Sequence, residues 1–137
     1  MLEASAKGIS AEEKNRLLVS ARDAGKLAYC PYSNFRVGAA ALAGGRVFIG
    51  CNVENASHSL SICAERTAIF NAVAAGYRRI DAIAVVCLDM IDGCTPTPCG
   101  ACRQVIAQFG AGNTIVIVDG VGEMRLEELL PKPFTLK

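Results

Sequence analysis

Two short, unbroken apolar runs constrain the fold of this chain more than any other feature. They cover Ala82–Cys87 and residues 114–118. Continuous apolar runs of this length are typical of strands that are buried on both faces, as in parallel sheets covered by helices. A helix is predicted between them at Gly100–Phe109, and Gly110 supplies its stop signal. Such a strand–helix–strand unit needs a right-handed crossover and places parallel strands in one sheet.

The first half of the chain supplies the remaining predicted elements. A capping box, a Gly-Gly turn between two apolar runs and a glycine stop signal indicate where they begin and end. In chain order they are a helix at about 11–29, strands at 35–42 and 46–51, and a helix at 64–75. The two strand–helix–strand units in series predict a three-layer α/β/α fold around a mixed sheet of about five strands. Because no linker or repeat divides the 137 residues, we expect a single domain over 1–137.

Composition and charge exclude several classes of function. The net charge is +1, and no basic run alternates with aromatic residues, so nucleic acid is not an expected partner. The apolar runs are too short to cross a membrane, which needs about 20 residues. The seven cysteines are odd in number and follow no signal sequence, which argues against a secreted disulfide scaffold. We therefore expect a soluble, cytoplasmic protein with reduced thiols.

Three of the cysteines have a spacing that is typical of a metal site. Cys63 is followed two residues later by Glu65, and Cys99 and Cys102 belong to a Pro-Cys-x-x-Cys motif. Three thiolates can bind one zinc ion tetrahedrally and leave the fourth position open, as catalytic zinc sites do. Glu65 is then placed to move protons as a general acid and base. Arg66, on the same helical turn as Cys63, could donate hydrogen bonds to the sulfurs and draw charge away from the metal.

Other interpretations of these residues stay open at this point. A lone Cys-x-x-Cys also occurs in redox proteins and in zinc knuckles, and a non-catalytic zinc-binding module would keep the thiols without needing Glu65. His58, the only histidine, suggests an interface or hydrogen-bonding role rather than a ligand, and residues 123–128 are interpreted as a solvated helix face. The four remaining cysteines are interpreted as small packing residues; they are Cys30, Cys51, Cys87 and Cys94.

The cysteine motifs and their flanks resemble the small homotetrameric zinc-dependent cytidine deaminases. Beyond Cys63-Ala64-Glu65-Arg66, the similar blocks lie at 28–40, 50–56, 98–104 and 128–131. They occur in the family's order and cover most of the chain. His58 is a local departure, because it stands where the family commonly has an aromatic residue such as tyrosine. The zinc deaminase signature combines the thiol ligands with a glutamate that is not a ligand.

The resemblance implies an activity and a role for each matching residue. The implied reaction is hydrolytic deamination of cytidine and 2′-deoxycytidine to the uridines in pyrimidine salvage, by zinc-activated hydroxide attack on C4 and release of ammonia. Glu65 would be catalytic, and one Zn²⁺ per subunit would be bound by Cys63, Cys99 and Cys102. The implied substrate contacts are Phe35 against the base, Asn52 and Glu54 on the ribose hydroxyls, the Ala56 backbone on the pyrimidine edge, and Phe134 from a neighbouring subunit.

The resemblance also implies a homotetramer whose active sites lie at subunit interfaces. A competing hypothesis is a deaminase of a different base, including cytosines in nucleic acid. The short length, the near-neutral charge and the Asn52/Glu54 pair favour a free nucleoside as the substrate.

Overall fold

The computed structural model describes residues 6–136, and in this range helices are interspersed with strands along the chain. A single turn of 3₁₀ helix at His58–Leu60 precedes the second α-helix. The elements in chain order are α1 (Ala11–Gly25), β1 (Val37–Ala43), β2 (Arg46–Cys51), α2 (Ala64–Ala74), β3 (Ala82–Cys87), α3 (Gly100–Phe109), β4 (Ile115–Val118), β5 (Gly122–Arg125) and α4 (Leu126–Leu129).

The strands form a five-stranded mixed sheet in the order β2-β1-β3-β4-β5. β3 and β4 are parallel, and the other neighbouring pairs are antiparallel. β2 and β3 are both antiparallel to β1, so they run parallel to each other without being neighbours. The expectation of parallel neighbours therefore holds for β3 and β4 but not for the first strand–helix–strand unit, because the β1–β2 hairpin places β1 between its strands.

Helices cover both faces of the sheet, as the alternation of side chains along β1 shows. Ala39 and Ala41 are fully buried in the cluster formed with α2 and α3. Ala40 and Leu42 point to the opposite face and pack with Leu17 of α1. Successive residues of a strand face opposite sides, so small apolar residues throughout β1 allow a helix on each face. The predicted three-layer α/β/α architecture is confirmed.

Two glycines bring helices unusually close to the sheet. A Cβ atom added at Gly38 would lie 1.8 Å from the Ala21 carbonyl oxygen of α1. A Cβ atom added at Gly50 would lie 2.3 Å from the Ala68 backbone nitrogen of α2. No side chain fits at either position unless the backbone moves. The contact at Gly50 holds α2, and with it the cysteine at the start of that helix, against the sheet.

Two predicted boundaries differ from the structure because tertiary contacts intervene. α1 ends at Gly25 rather than near residue 29, since Tyr29 is extended and forms a β-bridge with Val53. β1 begins at Val37 rather than at residue 35, since the Phe35 carbonyl accepts from the Asn52 side chain instead of a strand.

The C-terminal region corrects another prediction. The sequence predicts a solvated helix face at residues 123–128. In the structure, residues 122–125 instead form the edge strand β5, which pairs with β4 through its backbone. The sequence of β5 has no apolar run, because one edge of this strand and much of both of its faces are exposed to solvent. Leu126, which begins α4, is fully buried. Among the described residues, no helix combines the length and the apolar character needed to span a membrane.

Candidate active site

The N-termini of two helices bring the three motif cysteines together. Cys63 and Cys99 are the N-cap residues of α2 and α3, and Cys102 lies in the first turn of α3. α2 follows β2 and α3 follows β3, and these parallel strands end at the same edge of the sheet. The Sγ atoms of Cys63 and Cys99 are 3.9 Å apart, and those of Cys99 and Cys102 are 3.5 Å apart. Residues 36 positions apart in the chain thus share one site.

This cluster fits one zinc ion per subunit. In a tetrahedral site with Zn–S bonds of about 2.3 Å, the sulfurs are about 3.8 Å from one another, and the three ligand atoms here all lie within 4.8 Å. Thiolates are soft ligands that select zinc over magnesium or calcium. Within residues 6–136, Cys63, Cys99 and Cys102 are the one group of at least three potential metal ligands. Three protein ligands leave the fourth position of a zinc ion open.

Positive charge and thiol contacts favour thiolate at the start of α2. The Cys102 thiol and the Arg66 guanidinium together hold the pKa of Cys63 well below its ordinary value. Arg66 Nη2 donates to Cys63 Sγ at 3.4 Å, as the sequence predicts. The Nε atom of Arg66 is buried and has no hydrogen-bond partner among the described residues. The thiolate is the form that binds metal, so the lowered pKa of Cys63 favours binding of a cation at this thiol.

Glu65 places a buried carboxyl group beside the sulfurs. It lies in the first turn of α2 and is 5% exposed. Burial, together with the negative charge of Cys63, raises the pKa of its carboxyl to about 7. A carboxyl group in such an environment can hold or release a proton near neutral pH, which is what a general acid and base requires.

An open cavity of about 500 Å³ lies over this cluster. A volume of this order is typical of small-molecule sites. The floor contains the Cys63 and Cys99 thiols and Glu65. The predicted substrate contacts that line it are Phe35, Asn52 and Glu54. A small molecule in the cavity would therefore contact the metal-binding cluster, a carboxyl group and an aromatic side chain at the same time.

The Asn52 side chain also holds the wall on which Phe35 lies. Its Oδ1 accepts from Val37 N at 2.9 Å, and its Nδ2 donates to Phe35 O at 2.8 Å. The amide carries two donor hydrogens, and besides the Phe35 carbonyl the Asn52 side chain also forms a hydrogen bond with the Cys30 thiol.

Glu54 is tied to the turn at residues 31–33. Its carboxylate accepts from the backbone nitrogens of Tyr32 at 3.0 Å and Ser33 at 3.1 Å, and from the Ser33 hydroxyl. These hydrogen bonds, that of the Ser33 hydroxyl above all, lower the pKa of Glu54. A carboxylate has about four acceptor positions, so the ionised group can still accept from a ligand in the cavity.

Two predicted contacts lie outside the cavity of their own chain. Ala56 is exposed and does not line the cavity. Phe134 is 70% exposed, and its backbone is held by the side chain of Gln104, with Gln104 Nε2 donating to Phe134 O at 2.9 Å. His58 packs edge-on against Tyr32, with 6.1 Å between ring centroids. These side chains are available to a neighbouring molecule rather than to the cavity beside them.

Sequence reasoning missed other residues of the site. Cys87, interpreted as a packing residue, lines the cavity from the end of β3, and burial raises its pKa to about 11. The available signal was its place at the carboxyl end of a parallel strand, where ligands bind in α/β sheets. Thr97 also lines the cavity, and Arg103 donates to its Oγ1 at 3.3 Å.

The interpretation of Cys94 as a packing residue is wrong. This side chain is exposed and lies in an irregular segment.

Comparison with known proteins identifies relatives of the whole chain. Residues 11–118 match a family model described as the cytidine and deoxycytidylate deaminase zinc-binding region. A cytidine deaminase from Sporosarcina psychrophila is 44% identical over 126 residues, which cover 88% of this chain and 90% of that protein. A cytidine deaminase from Halalkalibacterium halodurans is 45% identical over 129 residues, covering 90% and 95% of the two chains.

Solved structures give the same result. The crystal structure of a cytidine deaminase from Burkholderia pseudomallei has a TM-score of 0.80 and 44% identity, and the match covers 92% of this chain and all of the other. The cytidine deaminase from Mycobacterium tuberculosis has a TM-score of 0.78 and 42% identity, with 90% and 98% of the two chains covered.

Proposed function

Because the chain belongs to the cytidine and deoxycytidylate deaminase family, we propose that it hydrolyses cytidine and 2′-deoxycytidine to the corresponding uridines and ammonia. The observation that carries this proposal is the placement of the buried Glu65 beside the Cys63 and Cys99 thiols on the floor of one cavity. The chain would act as a single domain over 1–137, in the cytoplasm, as an enzyme of pyrimidine salvage.

The catalytic roles follow from the chemistry of the cavity floor. Cys63, Cys99 and Cys102 would hold a zinc ion, which when bound would supply Lewis-acid activation of the water that attacks C4. Glu65 would take a proton from that water on its carboxylate and deliver it to N3 of the ring. It would then carry the proton of the new C4 hydroxyl to the amine, so that the C4–N bond breaks, ammonia leaves and the C4 carbonyl forms. Arg66 donates to Cys63 Sγ and so reduces the negative charge that three thiolates would otherwise concentrate at the site.

The cavity wall supplies the groups that a nucleoside requires. The Phe35 ring packs against the pyrimidine, which has an apolar face. The second hydrogen on Asn52 Nδ2 and the remaining acceptor position of Glu54 bind the ribose hydroxyls. The Asn52 and Glu54 side chains and the Phe35 backbone are held by hydrogen bonds in the absence of a ligand, so little conformational freedom of these groups is lost on binding.

A direct assay tests the proposed function. Purified protein, with its zinc content measured, is expected to convert cytidine and 2′-deoxycytidine to the uridines with one ammonia released per turnover. A cytosine-containing oligonucleotide serves as the competitor and is expected to leave the rate unchanged. Stoichiometric zinc without turnover of either nucleoside would refute the proposal. Strong inhibition by the oligonucleotide would instead favour the polymer as the substrate.

We also propose that four chains assemble with their active sites at subunit interfaces. Phe134 is 70% exposed and Leu60 is 68% exposed, and the tyrosines at 29 and 32 are more than half exposed. Tyr32 lies beside His58, two residues before Leu60, and neighbouring exposed apolar side chains are typical of protein–protein interfaces. The Phe134 ring lies outside its own chain's cavity, so in this arrangement it would cover the substrate of a neighbouring subunit, while the Ala56 backbone reads the pyrimidine edge.

Complementation between two defective chains tests the role of Phe134. Phe134→Ala alone is expected to raise KM for cytidine by roughly tenfold, which corresponds to the loss of one aromatic contact. Co-expression of Phe134→Ala chains with Glu65→Gln chains is expected to restore low-KM turnover, because mixed assemblies contain sites with an intact Glu65 and an intact Phe134. Co-expression that gives no more than the activity of the Phe134→Ala chain would argue that Phe134 does not act across an interface. Sedimentation of the wild type gives the number of chains.

A further inference from the structure

The two walls of the cavity come from separate stretches of the chain. One contains Phe35, and the other contains Cys87, Pro96 and Thr97. Residues 88–95, which connect the two parts of the second wall, form no helix or strand. Irregular segments of this kind open at a lower free energy than the sheet does. The spacing of the walls therefore depends on whatever contacts hold this segment.

Arg36 and Asp89 connect the two walls directly. The Asp89 carboxylate accepts from Arg36 N at 2.8 Å and from its Nε and Nη2 at 2.9 Å. Leu88 N donates to Arg36 O at 2.9 Å. These contacts extend the β1–β3 pairing by one step past its terminal pair, Val37 and Cys87. Both residues of that terminal pair line the cavity.

Beyond Leu88, which packs against the core cluster beneath α1, Arg36 holds the irregular segment through hydrogen bonds. Within residues 6–136, every hydrogen bond between 88–95 and the rest of the chain involves Arg36. The far end of the second wall is held separately, since Arg103 donates to Thr97 Oγ1 at 3.3 Å and to Pro98 O at 2.7 Å. Loss of the Asp89 contacts with Arg36 would therefore loosen the residues between Leu88 and Pro96, while Leu88 stays packed against the core and the far end of the wall stays in place.

The Arg36–Asp89 pair suits a positioning role better than a role in stability. Its guanidinium and carboxylate meet in the planar two-bond geometry that fixes orientation. Hydrogen bonds from Arg36 lower the pKa of Asp89 to about 2, so the carboxylate stays charged at working pH. The side chains are 47% and 30% exposed, and exposed ion pairs contribute little to the free energy of unfolding.

We infer that the Arg36–Asp89 pair positions the Phe35 wall against the Pro96 and Thr97 wall and thereby sets the affinity of the cavity for nucleosides. The inference rests on the proposed function, since it takes pyrimidine nucleosides as the ligand. Neither Arg36 nor Asp89 lines the cavity, so both are positioning residues. Because they touch no reacting atom, their loss weakens binding of the substrate and of the transition state alike, which raises KM and leaves kcat unchanged.

A double-mutant cycle tests this inference. Arg36→Ala and Asp89→Ala are each expected to raise KM for cytidine by about tenfold, with kcat within about twofold of wild type. The double variant is expected to match Asp89→Ala, because that substitution alone already removes the two side-chain bonds and the bond from Arg36 N. The matched control is the exposed pair Arg22–Asp119, whose Nη2 and Oδ2 atoms are 2.6 Å apart and which lines no part of the cavity. Alanine at either control position is expected to leave KM unchanged.

A conservative variant and the wild type separate the possible outcomes. Asp89→Asn keeps an acceptor for Arg36 N but loses the charge, so an intermediate KM is expected. If wild type deaminates cytidine and all the variants at 36 and 89 keep its KM, the inference is wrong. A fall in kcat with unchanged KM, or KM effects that add in the double variant, would also overturn it. A wild type that binds zinc but turns over no nucleoside would overturn both the proposed function and the inference.

Discussion

Replacing Glu65 with glutamine is expected to lower kcat for cytidine by roughly 10²–10⁴-fold, the usual contribution of a general acid and base. The amide has nearly the same shape as the carboxyl group but cannot accept the proton of the attacking water. Zinc should stay at wild-type stoichiometry, because the three thiols of the cluster are unchanged. Steady-state kinetics and metal analysis on the same sample measure both quantities.

The control for this substitution is an exposed carboxylate on another helix. Glu12→Gln, in the first turn of α1, is expected to change neither kcat nor zinc content. Glu65→Gln is expected to keep or slightly raise the free energy of unfolding, since a buried amide costs less than a buried charge. Deamination by Glu65→Gln at the wild-type rate would show that another group moves the proton.

The sequence predicted the core of the fold because burial and local pattern agree there. Ala82–Cys87 reads as a strand buried on both faces, and in the structure five of its six residues are buried. β5 could not be predicted, because an edge strand pairs through its backbone and needs no apolar side chains. α1 ends early for a similar reason, since the bridge between Tyr29 and Val53 joins positions that no local pattern relates.

The floor of the site and the wall that contains Phe35 were predictable, and the opposite wall was not. Cys63, Glu65 and Cys99 belong to motifs whose spacing reflects bonding to one metal ion. Cys87 lies at the carboxyl end of a predicted strand, which was the one signal available for that wall, whereas Thr97 reaches the cavity from an irregular segment that leaves no pattern in the sequence. The contacts of Arg36 with Asp89 likewise depend on the β1–β3 register, which is a property of the folded sheet.

Replacing Cys102 with alanine is expected to lower zinc affinity by more than about a hundredfold, because even residues that only orient a ligand contribute 10- to 100-fold. Cys102 is fully buried in the first turn of α3, and its Sγ lies 3.5 Å from that of Cys99, so no water or other side chain can easily replace the lost thiolate. Metal analysis after dialysis should find little zinc, and cytidine turnover should be lost with it.

Thermal unfolding distinguishes loss of the metal from general damage to the fold. A ligand that binds only the folded state raises Tm, so a chelator is expected to lower the Tm of the wild type and to leave that of Cys102→Ala unchanged. The control is Cys51→Ala, at a half-buried thiol outside the cluster, which should keep its zinc and its response to the chelator. Stoichiometric zinc in Cys102→Ala would remove Cys102 from the ligand set and require a different donor in the same cavity, for which the buried Glu65 carboxyl is the nearest candidate in sequence to Cys63.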